Sequence, residues 1–187
     1  MLTCQKHLFD LPEEVTYLNM AYMSPLMKQS LEIGIKGLKM KSRPYEIKVD
    51  DFFTPVQNVK ASFSELIDCD TPENIAVIPS ISYAAANAAR NIPLSTGEEI
   101  IVLEDQFPSN IYPWKVLADE NNGKLISIPS PSTLDARGDE WTQRILDNIG
   151  PATRVVAMPH VHWSDGTLYN LGAIREKLDQ YEGYLVI

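Results

Sequence analysis

Cysteine is nearly absent from this 187-residue chain, which has only Cys4 and Cys69. The two lie far apart, and no metal-ligand spacing surrounds either. That excludes a disulfide scaffold and a cysteine-built metal centre. Glycine is scarce too, at nine residues, and neither G-x-G nor G-K-[ST] occurs. The dinucleotide fingerprint and the P-loop are therefore missing. No apolar run reaches the length of a membrane span. The N-terminal "MLTCQKHLFDLPEE" meets acidic residues and Pro12 before any long apolar stretch, so it does not read as a signal peptide. A reducing cytoplasmic setting is expected. Basic residues are outnumbered, 16 Lys+Arg against 25 Asp+Glu, for a formal charge of -9. A nucleic-acid binder would show a basic face, so that class is set aside. A hydrophobic fraction of 44% over this length suffices for one folded core.

Short apolar runs punctuate the chain: "IAVI", "EIIVLE", "KLISI", "RVVAM" and "YLVI". Helical patterns separate them, at 82–91, 110–121, 139–149 and 170–181. Gly123, Gly150 and Gly183 stand where helices would end. This alternation predicts an α/β fold, a three-layer sandwich around a mostly parallel sheet covered on both faces. Two helices precede it. One opens at Ser24 with Pro25 in its first turn. The other is capped by Thr54 and presents Val56, Val59, Phe63, Leu66 and Ile67 on one face.

Ligands of parallel α/β sheets sit beyond the carboxyl ends of strands, where helix N-termini attract anions. "IAVIPSISYAAANAAR", 75–90, has the form of such a junction. Ser80 or Ser82 caps the helix, and the small residues that follow leave room for a bulky anion. A plain N-cap ahead of a closely packed Ala-rich helix explains the same letters. Phe107 in "LEDQFPSNIYPW" falls just past the next apolar run, where it stacks on a flat ring or joins the core. A later run ends in "AMPHVHWSDGT". Its H-x-H has no third ligand at useful spacing, so no metal is expected.

These segments, in this order, resemble the class V aminotransferase group of pyridoxal-phosphate (PLP) enzymes. "YLNMAYMSP" is similar to that group's "YLDNAATSP". "ENIAVIPSISYAAANAA" resembles the segment that holds the cofactor phosphate, with Ile81 and Ser82 at the two contacting positions. "QFPSN" resembles the kynureninase form F-P-[ST]-D. Phe107 then stands at the ring-stacking position and Asn110 at the acidic one. "MPHVHWSDGTLYNL" resembles "HVSNxxGxxxxL", where an Asn approaches the cofactor's phenolic oxygen, and this chain has Trp163 there. The resemblance thus assigns Ile81, Ser82, Phe107, Asn110 and Trp163 to the cofactor, and favours the phosphate at the 75–90 junction.

The resemblance implies an N-terminal arm and helix over 1–50, then the N-terminal part of a PLP-binding large domain over 51–187. It also implies an amino acid substrate and a homodimer, with no nucleic acid and no membrane as partners. In the group, the strand that resembles "YLVI" is followed by D-x-x-Q, whose Asp holds the pyridine nitrogen protonated. A Schiff-base lysine follows in a Ser-x-His-Lys pattern. Neither motif is found up to Ile187. The expectation is a truncated chain, its catalytic lysine, aspartate and small domain lying beyond, and inactive alone. The alternative is a non-catalytic α/β domain that keeps the cofactor cradle for binding or assembly.

Overall fold

The computed structural model describes residues 3–20 and 22–187. The chain divides into two compact units, Met1–Val77 and Ile78–Ile187.

The first unit holds two helices, α1 (Lys28–Met40) and α2 (Thr54–Leu66). Helix α1 starts four residues later than Ser24 and Pro25 predict. Met27 pairs with Phe9 in an isolated antiparallel bridge, which keeps it extended (φ -63, ψ 145) and postpones the first turn. Thr54 is already helical, and Phe53 takes the cap position without a capping side chain. At the other end of α2 the Ser64 hydroxyl donates to the Cys69 carbonyl across a turn whose Asp68 is left-handed. The apolar stripes predicted for both helices exist but are not covered. Leu38 is 77% and Leu66 78% exposed, and Ser64 is the single buried residue among those described in this unit.

The second unit is layered. Strands β1 (Glu99–Leu103), β2 (Lys124–Ile128), β3 (Thr153–Ala157) and β4 (Tyr184–Val186) form one parallel sheet in the order β2-β1-β3-β4. Four helices cover it: α3 (Ile81–Asn91), α4 (Tyr112–Asn121), α5 (Arg137–Asn148) and α6 (Leu171–Asp179). Side chains alternate along β1. Ile100 and Val102 pack with Ala89, Trp114, Leu117 and Ala118 of α3 and α4. Ile101 and Leu103 pack with Trp141, Ile145, Ile174 and Leu178 of α5 and α6. The period-2 alternation of a doubly covered strand thus feeds two apolar cores, which explains why "IIVL" has no polar position. This is the three-layer α/β arrangement that the sequence implies.

One expected strand is missing. Ile75–Ile78 is extended but pairs with no strand among the described residues, and Val77 is exposed. The glycines at helix ends also act differently from expectation. The left-handed residues after α4 and near the end of α6 are Asn122 (φ 53) and Glu182 (φ 54), not the glycines that follow them. Gly123 is required by close approach. A Cβ there would lie 2.6 Å from Leu94 Cδ2 and 3.0 Å from the Glu98 carbonyl oxygen.

That contact orients the helices. Leu94 follows α3 and Gly123 follows α4, so both helices end at the amino edge of the sheet. Both therefore begin at its carboxyl edge.

Candidate functional site

The chain passes from β1 to β2 on one side, then crosses to β3 on the other side of β1. The strand order reverses between β1 and β3, and the carboxyl ends of these two strands flank the crevice where such sheets bind ligands. Four of the five expected site residues occupy segments at this edge by topology alone, and the fifth, Trp163, lies in the loop that leaves β3.

Helix α3 supplies the first segment. Ser80 is its N-cap, extended at φ -166 and ψ 160, and its Oγ accepts from the Tyr83 amide at 3.1 Å. Of the two candidate serines, Ser80 is the cap. Ser82 lies two residues further in, exposed, with no hydrogen-bond partner for its hydroxyl among the described residues. The amides of Ile81 and Ser82 belong to the first turn, where no helical carbonyl is available to them. Ala84, Ala85 and Ala86 follow. Helix α3 also packs against the 3-10 turn Pro108–Asn110, in the loop after β1.

That loop carries Asp105, Gln106, Phe107 and Asn110. Asp105 is left-handed (φ 54). Gln106 is buried; its Oε1 accepts from the Phe107 amide at 2.7 Å, and its Nε2 has no partner among the described residues. Phe107 is half-exposed at the rim. Asn110 is tied down from below: its Oδ1 accepts from the indole N–H of the fully buried Trp114 at 3.0 Å. The helix predicted from Asn110 is consequently split. A 3-10 turn ends at Asn110, and α4 starts at Tyr112 with Pro113 in its first turn.

The loop after β3 is a tight turn. The His162 amide donates to the Thr167 carbonyl at 2.8 Å, and the Gly166 amide donates to the His162 carbonyl at 2.9 Å. Gly166 has φ 74, which glycine adopts at no steric cost. His162 is buried beside Trp141, with ring centroids 5.0 Å apart and Nδ1 2.9 Å from Ser164 Oγ. His162 is thus a core histidine hydrogen-bonded within its own loop. Asp165 anchors the turn by accepting from the Thr167 amide at 2.9 Å and lies 3.0 Å from Arg137 Nε. Burial pushes its carboxyl up, but the Thr167 hydrogen bonds and the charges of His162 and Arg137 outweigh that and hold it below the usual carboxylate range. Tyr169, buried against Trp141, is pushed well above the ordinary phenol range by burial and by Asp165.

Trp163 joins the two loops. Its indole N–H donates to the Asp105 carbonyl at 2.7 Å, and its ring meets Phe107 edge to face with centroids 5.5 Å apart. Sequence reasoning missed Asp105 and the Arg137–Asp165 pair. Only the position of Asp105 next to the "QFPSN" segment pointed to that region. A groove of about 670 Å³ runs along α3 and α4, lined by Ala86, Arg90, Tyr112, Val116 and Glu120, and includes none of the five expected residues. Among the described residues there is no cluster of three or more metal-binding side chains, and no helix is long and apolar enough to cross a membrane.

A parallel, doubly covered sheet with polar and aromatic groups at its switch point is the framework of a nucleotide- or cofactor-dependent α/β protein. The chain belongs to the Aminotransferase class-V family, whose model matches residues 48–187. That is a family of PLP-dependent enzymes. A probable cysteine desulfurase of Vibrio cholerae is 24% identical over 135 residues, covering 70% of this chain and 32% of that protein. The uncharacterized aminotransferase YcbU of Bacillus subtilis is 26% identical over 124 residues, covering 66% of this chain and 31% of that protein. Among solved structures, a C-DES mutant with glycine covalently linked to its PLP cofactor superposes with a TM-score of 0.78 at 20% identity, over 98% of this chain and 48% of that one. The cysteine desulfurase CsdA of Escherichia coli gives 0.74 at 15% identity, over 96% and 46%. At these identities the structural likeness establishes the fold. The chain spans about a third of the length of these curated relatives, and just under half of the solved chains.

Proposed function

We propose that this chain forms one wall of a PLP site, in an enzyme of the class V type that acts on an amino acid. The observation that carries this is the packing of helix α3, which begins at the carboxyl edge of the sheet, against the Pro108–Asn110 turn of the Phe107 loop. The residues present fit the cofactor's phosphate. Two first-turn amides, Ile81 and Ser82, and the Ser82 hydroxyl have no competing partner among the described residues, and beyond the exposed Tyr83 the next three side chains, Ala84 to Ala86, are methyl groups. The helix dipole favours the anion at the same end. Phe107 offers a half-exposed ring for stacking, and Asn110 stands beside it, oriented by Trp114. Trp163 meets the Phe107 ring from the loop after β3. When bound, PLP supplies an electron sink for bond breaking at the α-carbon of an amino acid. This chain's own residues hold the phosphate, face the ring and screen it from water. Transamination, desulfuration, lyase and epimerase chemistry all share that cradle. We infer further that the working enzyme is a homodimer, with the aromatic and charged 43–53 segment as a candidate contact; Tyr45, Phe52 and Phe53 are all exposed.

The test is a titration of the chain with PLP and with pyridoxal, followed by the visible circular dichroism induced in the bound chromophore. Each charge-assisted hydrogen bond to phosphate contributes about 1.5–3 kcal/mol, so PLP should bind at least tenfold tighter than pyridoxal. Equal binding of the two would remove the phosphate cradle and the reading with it.

A further inference from the structure

The loops after β1 and β3 lie 58 residues apart in sequence and are held together by Trp163. A tryptophan side chain has one polar atom, a donor. That donor is committed, at 2.7 Å, to the Asp105 carbonyl. Asp105 is the residue whose left-handed φ of 54 turns the chain toward Phe107. Such a conformation is uncommon for a residue with a Cβ, and the indole bond helps to hold it. The same indole ring then meets Phe107 edge to face, at an interplanar angle of 86°. The backbone turn before Phe107 and the plane of its ring are thus both fixed by one side chain. The Phe107 backbone is also held by Gln106, whose Oε1 accepts from its amide, and by the Asn110 amide, which donates to its carbonyl at 2.9 Å.

We infer that Trp163 is a positioning residue. It clasps the β1 loop to the β3 loop and sets the ring plane of Phe107 for a flat aromatic ligand, and it does not itself donate to that ligand. This deepens the proposed function and rests on it for the identity of the ring. A polar substituent of the ligand on the β3 side must find its donor elsewhere. Next to Phe107 in sequence, Gln106 has a buried Nε2 donor that is unpartnered among the described residues.

The clasp is tested with Trp163→Phe in the full chain, which keeps an aromatic ring and removes the N–H. Trp163 is half-exposed, so the fold tolerates the change. The first measurement needs no cofactor. Amide hydrogen exchange over residues 104–110 should quicken by about fivefold to tenfold, the loss of one hydrogen bond that closes the loop, with the melting temperature lowered by no more than a few degrees. Unchanged exchange there would overturn the clasp, whatever the chain binds. The second measurement is a cycle of PLP dissociation constants over wild type, Trp163→Phe, Phe107→Ala and the double variant. If Trp163 acts through Phe107, its substitution weakens PLP and lowers the induced dichroism only when Phe107 is present. Additive losses would make Trp163 a direct contact and overturn the positioning role. Absence of PLP binding by the wild-type chain would refute the proposed function and leave the exchange experiment to decide the clasp.

Discussion

Ser80 and Ser82 are two residues apart and do different things. The Ser80 hydroxyl closes the first turn of α3 by accepting from Tyr83, and the Ser82 hydroxyl has no partner among the described residues. Sequence alone could not divide the roles, because either serine satisfies the preference for a small hydroxyl residue at a helix start. The answer depends on which residue leaves the extended conformation first, and Pro79 just ahead favours the earlier break. The division predicts two distinct phenotypes. Ser80→Ala should cost about 1 kcal/mol of stability, seen as a lower denaturation midpoint. Ser82→Ala should leave that midpoint alone and weaken PLP about tenfold or more, the loss of one charge-assisted bond. A lowered midpoint with unchanged PLP affinity in Ser82→Ala would make it a second cap. Phe107 and Trp163 were legible as rim residues because they follow apolar runs. Their contact with each other was not, since nothing local joins positions 107 and 163.

At the scale of elements, periodicity located all four strands and all six helices, and missed where the neighbours decide. Helix α1 starts late because Met27 is held by Phe9, a pairing that spans 18 residues. "IAVI" has the composition of a strand but no partner strand among the described residues, so β-propensity alone did not make it one. Gly138 looks like a poor choice in the first turn of α5, until its surroundings are seen. A Cβ there would collide with the Leu168 carbonyl oxygen, so the turn after β3 can lie close only to glycine. That turn is also a charge-dependent element. The folded-state pKa of Asp165 is lowered, so its stabilising contribution is present above the unfolded-state value, about 4, and is lost as pH falls through the lower folded value. Asp165→Asn should therefore be less stable than wild type at pH 7, and the gap should narrow as pH falls below about 4. Denaturant midpoints at pH 7, 4 and 3 measure it. A gap that stays constant across this range would mean that Asp165 acts through its hydrogen-bond geometry and not through its charge.

Across the whole molecule, burial is distributed very unevenly. Every core residue, from Ala85 to Leu178, belongs to the 78–187 unit, where strands β1 and β3 are fully buried over most of their length. The 1–77 unit has amphipathic helices with their apolar stripes exposed. Sequence patterning showed that stripes exist in α1 and α2; it could not show what lies against them, because the pattern specifies a face and not its partner. Helix propensity by itself holds a 13-residue helix only marginally in water, and α1 carries the added cost of Gly34 and Gly37. Opening free energy should thus differ sharply between the units, since local stability follows buried apolar contact. Native-state hydrogen exchange on the full chain checks this. Amides of β1 and β3 should exchange only by global opening of their unit, and those of α1 and α2 at least a hundredfold faster, a difference of about 2.7 kcal/mol or more. If the protein assembles through its first unit, protection in α1 and α2 should rise with protein concentration, because association adds burial in proportion to the dimer formed. Strong protection of both helices at every concentration would mean that their stripes are covered within a single chain, and would overturn the exposed faces described for this unit.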